Sequence, residues 1–311
     1  MILLLGIPTE SPLALVRGRL DELGAPYLLL SQRRFEDVPF RFQVSQGRVT
    51  GELTVDGKRY ALEEFTAVYT RLMDHQSLPE VANEPQASPR RLLARDWHDA
   101  VLRWYEIAPI RVVNRTAPMG SNSSKPFQAQ VVTRRGFFTP ETLITNDPEL
   151  ARAFIAEHRR VVFKSTSGIR SIVREVDEDD LRRLDAIRSC PVQFQAYVEG
   201  RNVRVHTIGD EVFATGISTE ATDYRYAHRQ HGEPAVLEAV EVSDDLAAQC
   251  RALARDLELP FAGLDLKITP ADEVYCFEVN PSPAYSYYES HTGQPISAAL
   301  ARYLVGGASH S

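Results

Sequence analysis

The chain has 311 residues, 43% of them hydrophobic and 25% charged, enough for two or three packed units rather than one. A formal net charge of -7, with basic residues scattered among acids, argues against nucleic acid as the main partner. No apolar run approaches the ~20 residues of a membrane span, and MILLLGIP lacks the basic flank and cleavage site of an export signal, so it reads as a buried first strand.

Along the chain, ILLLGIP, SPLALVRGRLDELG and PYLLLS alternate strand and helix patterns, the start of an α/β unit. RFQVSQGRVTGELTVDGKRYAL then alternates apolar residues around QG and DG, the signature of hairpin turns. AVYTRL reads as a further parallel strand with Arg71 at its end, residues 88 to 108 as a long helix, and IRVVN as the next strand. The polar stretch PMGSNSSKP closes this unit near residue 120.

A second unit opens with the helix FQAQVVTRRG and continues to a helix with Asp147 as its cap and Pro148 at its first position. VVFKSTSGIRSIVREV reads as two strands joined by a loop of small residues. The third unit runs through VQFQAYVEG and RNVRVHTIGDEVFATGI to the helix SDDLAAQCRALARDLEL, the hairpin GLDLKITPADEVYCFEVN and a last helix at PISAALARYL. Cys190, Cys250 and Cys276 have neither zinc-site nor disulfide spacing; each is expected to be a small buried residue, and the compartment to be the reducing cytoplasm.

Within the hairpin, Glu278 and Asn280 share a strand face, with Cys276 and Val274 expected beside them and Phe277 and Val279 opposite. Counting outward from the turn at TPADE sets Asp265 roughly opposite Glu278. Two carboxylates about 5 Å apart repel by roughly 3 kcal/mol at an effective dielectric of about 20, so a positive group is expected between them. Two carboxylates and an amide oxygen form a hard, oxygen-only set that suits Mg²⁺ or Mn²⁺. The competing reading is a solvated strand end with Lys267 neutralising one acid.

Several cations stand ready to meet an anion. Lys164 ends the buried run VVF just before the loop STSGIRS, whose amides can close over a phosphate. Lys125 lies at the junction of the first two units, and Arg204 shares a strand face with Asn202 while Val203 and Val205 take the other. Arg225, in DYR, repeats the theme.

Lys125, VVFK, FQAYVEG, RNVRV, GLDL and FEVNPSP, in this order and spacing, resemble the ATP-grasp superfamily, in its ribosomal-protein glutamate ligase-like branch. The closing stretch EVNPSPAYSYYESHTGQPISAALARYL is similar also to the graspetide (microviridin-type) peptide ligases. The resemblance implies an α/β and α+β ATP-grasp fold: an N-terminal Rossmann-like α/β domain over 1–120, a central lid domain over 121–192 and a C-terminal catalytic domain over 193–311. It implies ATP and Mg²⁺, the metal held by Asp265, Glu278 and Asn280, phosphate oxygens met by Lys125 and Lys164, and adenine bound by backbone groups of Gln195, Ala196, Tyr197 and Val198 with Glu199 on the ribose. Arg204 and Arg225 are implied near the γ-phosphate and acyl group, and Arg71 at a substrate carboxylate.

The expected function is an ADP-forming carboxylate–amine ligase acting through an acyl phosphate on an amino acid or peptide, in the cytoplasm, with a ribosomal precursor peptide and a homo-oligomer as candidate partners. A peptide macrocyclase forming ester or amide crosslinks is one alternative. A non-catalytic nucleotide-binding regulator is another.

Overall fold

The computed structural model describes residues 1–165, 173–218 and 235–306. The first unit holds β1 (Ile2–Gly6), α1 (Ser11–Glu22), β2 (Tyr27–Ser31), β3 (Phe40–Ser45), β4 (Arg48–Val55), β5 (Lys58–Ala61), β6 (Ala67–Arg71), α2 (Pro89–Ile107) and β7 (Arg111–Val113). Four of these strands form a parallel sheet in the order β2-β1-β6-β7. β1 is buried along its whole length because both faces are covered, which is why its sequence is a continuous apolar run. Ile2 and Leu4 join the core under α1, and Leu3 and Leu5 join the core under α2. The antiparallel sheet β3-β4-β5 turns at Gln46–Gly47 and Asp56–Gly57, all four with positive φ, as two-residue hairpin turns require.

After α3 (Thr116–Met119) and α4 (Lys125–Arg134) come β8 (Thr142–Thr145), α5 (Pro148–His158), β9 (Val161–Ser165), β10 (Arg174–Glu175), α6 (Glu178–Arg182) and β11 (Val192–Ala196). Their strands form an antiparallel sheet, β10-β9-β11-β8, so the sheet that begins in the expected lid ends at Ala196, past residue 192. The Asp147 carboxylate accepts the Glu149 N–H at 2.9 Å and caps α5, as its position before Pro148 implies.

The third sheet contains β12 (Arg201–Ile208), β13 (Glu211–Ser218), β14 (Val236–Val240), β15 (Phe261–Ile268) and β16 (Val274–Asn280), in the antiparallel order β14-β13-β12-β15-β16. One face packs on α7 (Asp244–Asp256) and on α4, whose Val131 and Val132 share a core with Leu253, Leu264 and Val279. The other face meets α8 (Ser286–Thr292) and α9 (Ile296–Val305), and α9 lies against α1 of the first unit. Cys250 and Cys276 are buried as expected, whereas Cys190 is exposed, because it stands at the exit of a short 3-10 turn. No helix among the described residues is long and apolar enough to cross a membrane.

Candidate active site

The β15–β16 hairpin builds the acidic centre. Asp265 pairs directly with Glu278, and the register then slips so that Leu266 meets Cys276 and Phe277 is the extra residue of a bulge. This corrects one expectation: the bulge breaks the alternation, and Cys276 is buried with Val279 in the α7 core instead of lying beside Glu278. Burial pushes the Cys276 thiol well above its ordinary range, so it packs and does not react.

Each carboxylate has its own cation. Arg204, across from Asp265 on β12, donates from Nη1 to Asp265 Oδ1 at 2.6 Å, with its guanidinium only 4% exposed. Lys125, the first residue of α4, places Nζ 2.6 Å from Glu278 Oε1 and 2.6 Å from Asn122 Oδ1. The expected positive charge is thus divided between a buried guanidinium and a half-buried ammonium. Lys267 does not neutralise either acid: it donates to the Val198 carbonyl at 2.9 Å.

Arg204 has room only because Gly263 lacks a side chain. A Cβ on Gly263 would lie 2.0 Å from Arg204 Nη2 and 2.6 Å from Cζ. Asn280, opposite Gly263, ends β16, and its Oδ1 accepts the Ser282 N–H at 2.9 Å. An amide oxygen with one acceptor bond keeps a second lone pair. Asp265, Glu278 and Asn280 therefore remain an all-oxygen set that fits a hard divalent cation.

Beside this centre, the lid sheet and the third sheet line a cleft that is partly open to solvent. Lys164 and Val162 line it from β9, Gln195 to Val198 from the end of β11 and the segment connecting it to β12, and Asn202, Asp265, Lys267, Phe277 and Glu278 from the third sheet. The Tyr197 ring carries the Arg160 guanidinium at 3.7 Å and the Lys267 ammonium at 4.9 Å. Burial, and secondarily Arg160, lowers the Lys267 pKa from its ordinary value. Along residues 195–198 the Ala196 and Tyr197 amides already donate to the Glu141 and Arg160 carbonyls, each at 3.0 Å.

Glu199 is not brought to this cleft. Its carboxylate is largely exposed and accepts from Arg160 Nη1 at 2.9 Å, while Asn202, register partner of Lys267, is among the polar side chains that line the cavity. Arg71 sits at the end of β6, where Nε and Nη2 donate to Glu10 Oε1 at 2.8 and 2.6 Å and Nη1 reaches Ser282 Oγ at 3.2 Å and the Pro283 carbonyl at 3.3 Å. Burial is the largest single influence and opposes its charge, but the hydrogen bonds and charges of Glu10 and Tyr69 together raise its pKa. Arg225 and residues 166–172 of the small-residue loop lie outside the described residues.

Two supporting residues carry no signal in the sequence, since a lone glutamine within a helix or a lone asparagine just past a strand belongs to no motif. Asn114 donates from Nδ2 to the Phe261 carbonyl at 2.6 Å and the Pro281 carbonyl at 2.5 Å, and accepts the Phe261 N–H at 3.2 Å, so it clasps both ends of the hairpin. Gln128 contacts Val279 in a similar way.

His206 lies two residues from Arg204, fully buried, with its ring edge-on to Tyr288 at 4.9 Å. Burial, and secondarily Arg204, holds its pKa well below the ordinary 6.5. The folded chain thus takes up this proton less readily than the unfolded chain. The stability tied to neutral His206 is complete above the unfolded value and is lost as pH falls below it, at a slope of up to about 1.4 kcal/mol per pH unit. Urea midpoints taken from pH 7.5 to 5.5 are expected to fall in the parent and to fall less in His206→Phe, with His98, also lowered mainly by burial, supplying part of the remaining slope.

Comparison with known proteins places these features. The profile of the RimK-like ATP-grasp domain matches residues 122–304. A probable alpha-L-glutamate ligase 2 of Hahella chejuensis is 25% identical over 217 residues, covering 66% of this chain and 70% of the relative. Among solved structures, the ATP-grasp ligase PsnB complexed with minimal precursor, Mg and ADP is 28% identical with a TM-score of 0.79, over 98% of this chain and 96% of that one. A Chryseobacterium gregarium RiPP-associated ATP-grasp ligase in complex with ADP and a leader and core peptide has a TM-score of 0.83 at 22% identity, over 99% and 97% of the two chains.

Proposed function

We propose, for a chain that belongs to the RimK-like ATP-grasp family and is thereby an ATP-dependent ligase, that the carboxylate it activates is carried by a peptide. The observation that carries this reading is the extent of likeness. The match to PsnB, solved with its minimal precursor, runs through 98% of this chain, first unit included, at 28% identity and a TM-score of 0.79, against 12% and 0.60 for the D-alanyl-alanine synthetase A of Vibrio cholerae over the same 98%.

In this reading Asp265, Glu278 and Asn280 hold Mg²⁺, and Lys125 and Lys164 take phosphate oxygens of ATP. The metal, when bound, supplies positive charge against the phosphate oxygens as the γ-phosphoryl group moves. Lys125 turns from Glu278 toward a phosphate when nucleotide enters, which exchanges one charged partner for another and keeps its half-buried ammonium paired. Val162 and Phe277, which line the cleft with residues 195–198, would hold the purine, and Asn202, which lines it where Glu199 does not, would meet the ribose hydroxyls. Arg204, with Arg225, stabilises the charge that develops between the γ-phosphate and the peptide carboxylate. Arg71 meets a substrate carboxylate from the first unit.

The peptide carboxylate attacks the γ-phosphorus, ADP leaves, and an amine or hydroxyl then displaces phosphate from the acyl phosphate to give an amide or ester. Free thiols at Cys190, Cys250 and Cys276 suit a reducing cytoplasm.

Addition of a free amino acid to a peptide end is a second reading, favoured by the glutamate ligase relative. Hydroxylamine separates these outcomes: with ATP, Mg²⁺ and an acid-rich peptide, a peptide hydroxamate is expected. Loss of one water without hydroxylamine marks crosslinking, and a mass gain in the presence of glutamate marks addition. ATP hydrolysis that never yields a hydroxamate, or nucleotide binding without turnover, would overturn the ligase mechanism.

A further inference from the structure

β16 is the edge strand of its sheet, and its outer edge is covered by two different devices. Near its start, the Phe138 N–H donates to the Val274 carbonyl and the Cys276 N–H donates to the Phe138 carbonyl, both at 2.9 Å. Beyond the bulge that backbone pairing stops. There the Gln128 side chain replaces it: Nε2 donates to the Val279 carbonyl at 2.7 Å, and Oε1 accepts the Val279 N–H at 3.2 Å.

Val279 is fully buried and Gln128 is 2% exposed, so without this amide both polar groups of the Val279 backbone would lose these partners in a place water does not reach. Val279 is also the residue between Glu278 and Asn280. Any rotation about its φ and ψ changes the distance from the Glu278 carboxylate to the Asn280 amide oxygen. Lys125 lies one turn before Gln128 on α4 and holds the Glu278 side chain. One helix therefore grips the same strand by a side chain and by its backbone.

We propose that Gln128 is a positioning residue for the metal ligands: its two-point clasp on Val279 sets the span between Glu278 and Asn280 and so tunes affinity for the divalent ion. The assignment rests on the reading of Asp265, Glu278 and Asn280 as that ion's ligands. Supporting residues behind metal ligands are worth about tenfold or more in metal affinity.

The test titrates Mn²⁺, followed by electron paramagnetic resonance, into the ADP-loaded full-length chain. Gln128→Met keeps length and volume but cannot form the clasp. It is expected to weaken Mn²⁺ binding about tenfold, to speed amide exchange in the peptide over 274–280, and to leave ADP affinity in metal-free buffer unchanged. Val132→Ala removes buried volume from the same helix, 2% exposed, without touching the strand backbone. It is expected to lower the melting temperature with no change in Mn²⁺ affinity. Equal Mn²⁺ affinity in Gln128→Met and the parent, or an equal loss in both variants, overturns the role of the clasp alone. A parent that binds no Mn²⁺ with ADP present overturns the metal site and the clasp together.

Discussion

Glu278→Gln is expected to lower ATP-dependent turnover by about a thousandfold or more, the scale of losing a group that stabilises charge developing in the transition state. The fold should barely notice. Glu278 is half-buried, and its loss frees the half-buried Lys125 but also removes the repulsion from Asp265 across the hairpin. These terms oppose each other, and the net change is expected within about 1 kcal/mol. Asp265→Asn should match it in activity but not in stability. Arg204, only 4% exposed, loses a charged partner, whereas Asp265 is itself 26% exposed and its repulsion of Glu278 is relieved too, so the cost is expected at about 1–3 kcal/mol. Coupled-assay kcat and thermal melts of the two variants check this; turnover within tenfold of the parent in Glu278→Gln would remove that carboxylate from the chemistry.

The second large effect comes from one methyl group. Gly263→Ala would put a Cβ 2.0 Å from Arg204 Nη2, a separation at which something must shift. The strand cannot easily yield, because Gly263 is paired on both sides, with His206 and with Asn280. The guanidinium is therefore expected to leave Asp265. Turnover should fall by about a hundredfold, and overpacking should cost about 1–3 kcal/mol of stability. Because both residues act through one contact, Gly263→Ala added to Arg204→Ala should cost far less activity than it does alone. Full additivity of the two losses would show that Gly263 matters for some other reason.

The pairing of Asp265 with Glu278 is legible in the residues alone only to within one position: counting outward from the turn pairs Ile268 with Val274 and Leu266 with Cys276, and would then set Asp265 opposite Phe277. The bulge is not legible. Phe277 has the apolar character of its neighbours, and nothing local to VYCFEVN marks the position at which the strand gains a residue, so simple alternation puts Cys276 on the wrong face. The identity of each counter-charge is equally hidden: Lys125 and Glu278 are held together by α4 packing on β16, a contact remote in sequence. Glu199 illustrates a different limit. It stands next to residues 195–198, yet the chain turns at Gly200 with φ of 151°, and the cleft is lined from Asn202 instead. The parallel first sheet is easier to read, since burial of both faces of β1 writes itself into the sequence as ILLL.

α9 carries a consequence for building chimeras. Its Ile296, Leu300 and Leu304 are fully buried beside Leu13, Val16 and Leu20 of α1, and Ser297 joins Arg19 to Glu289. The last of the described helices thus completes the core of the first. Grafting the opening 120 residues of one relative onto the body of another would leave a helix facing a surface it was never shaped for, at about 2 kcal/mol for each large side chain left unburied. The two ends of the chain are a single unit of exchange, and recombinants that carry both from one parent are the ones that should fold.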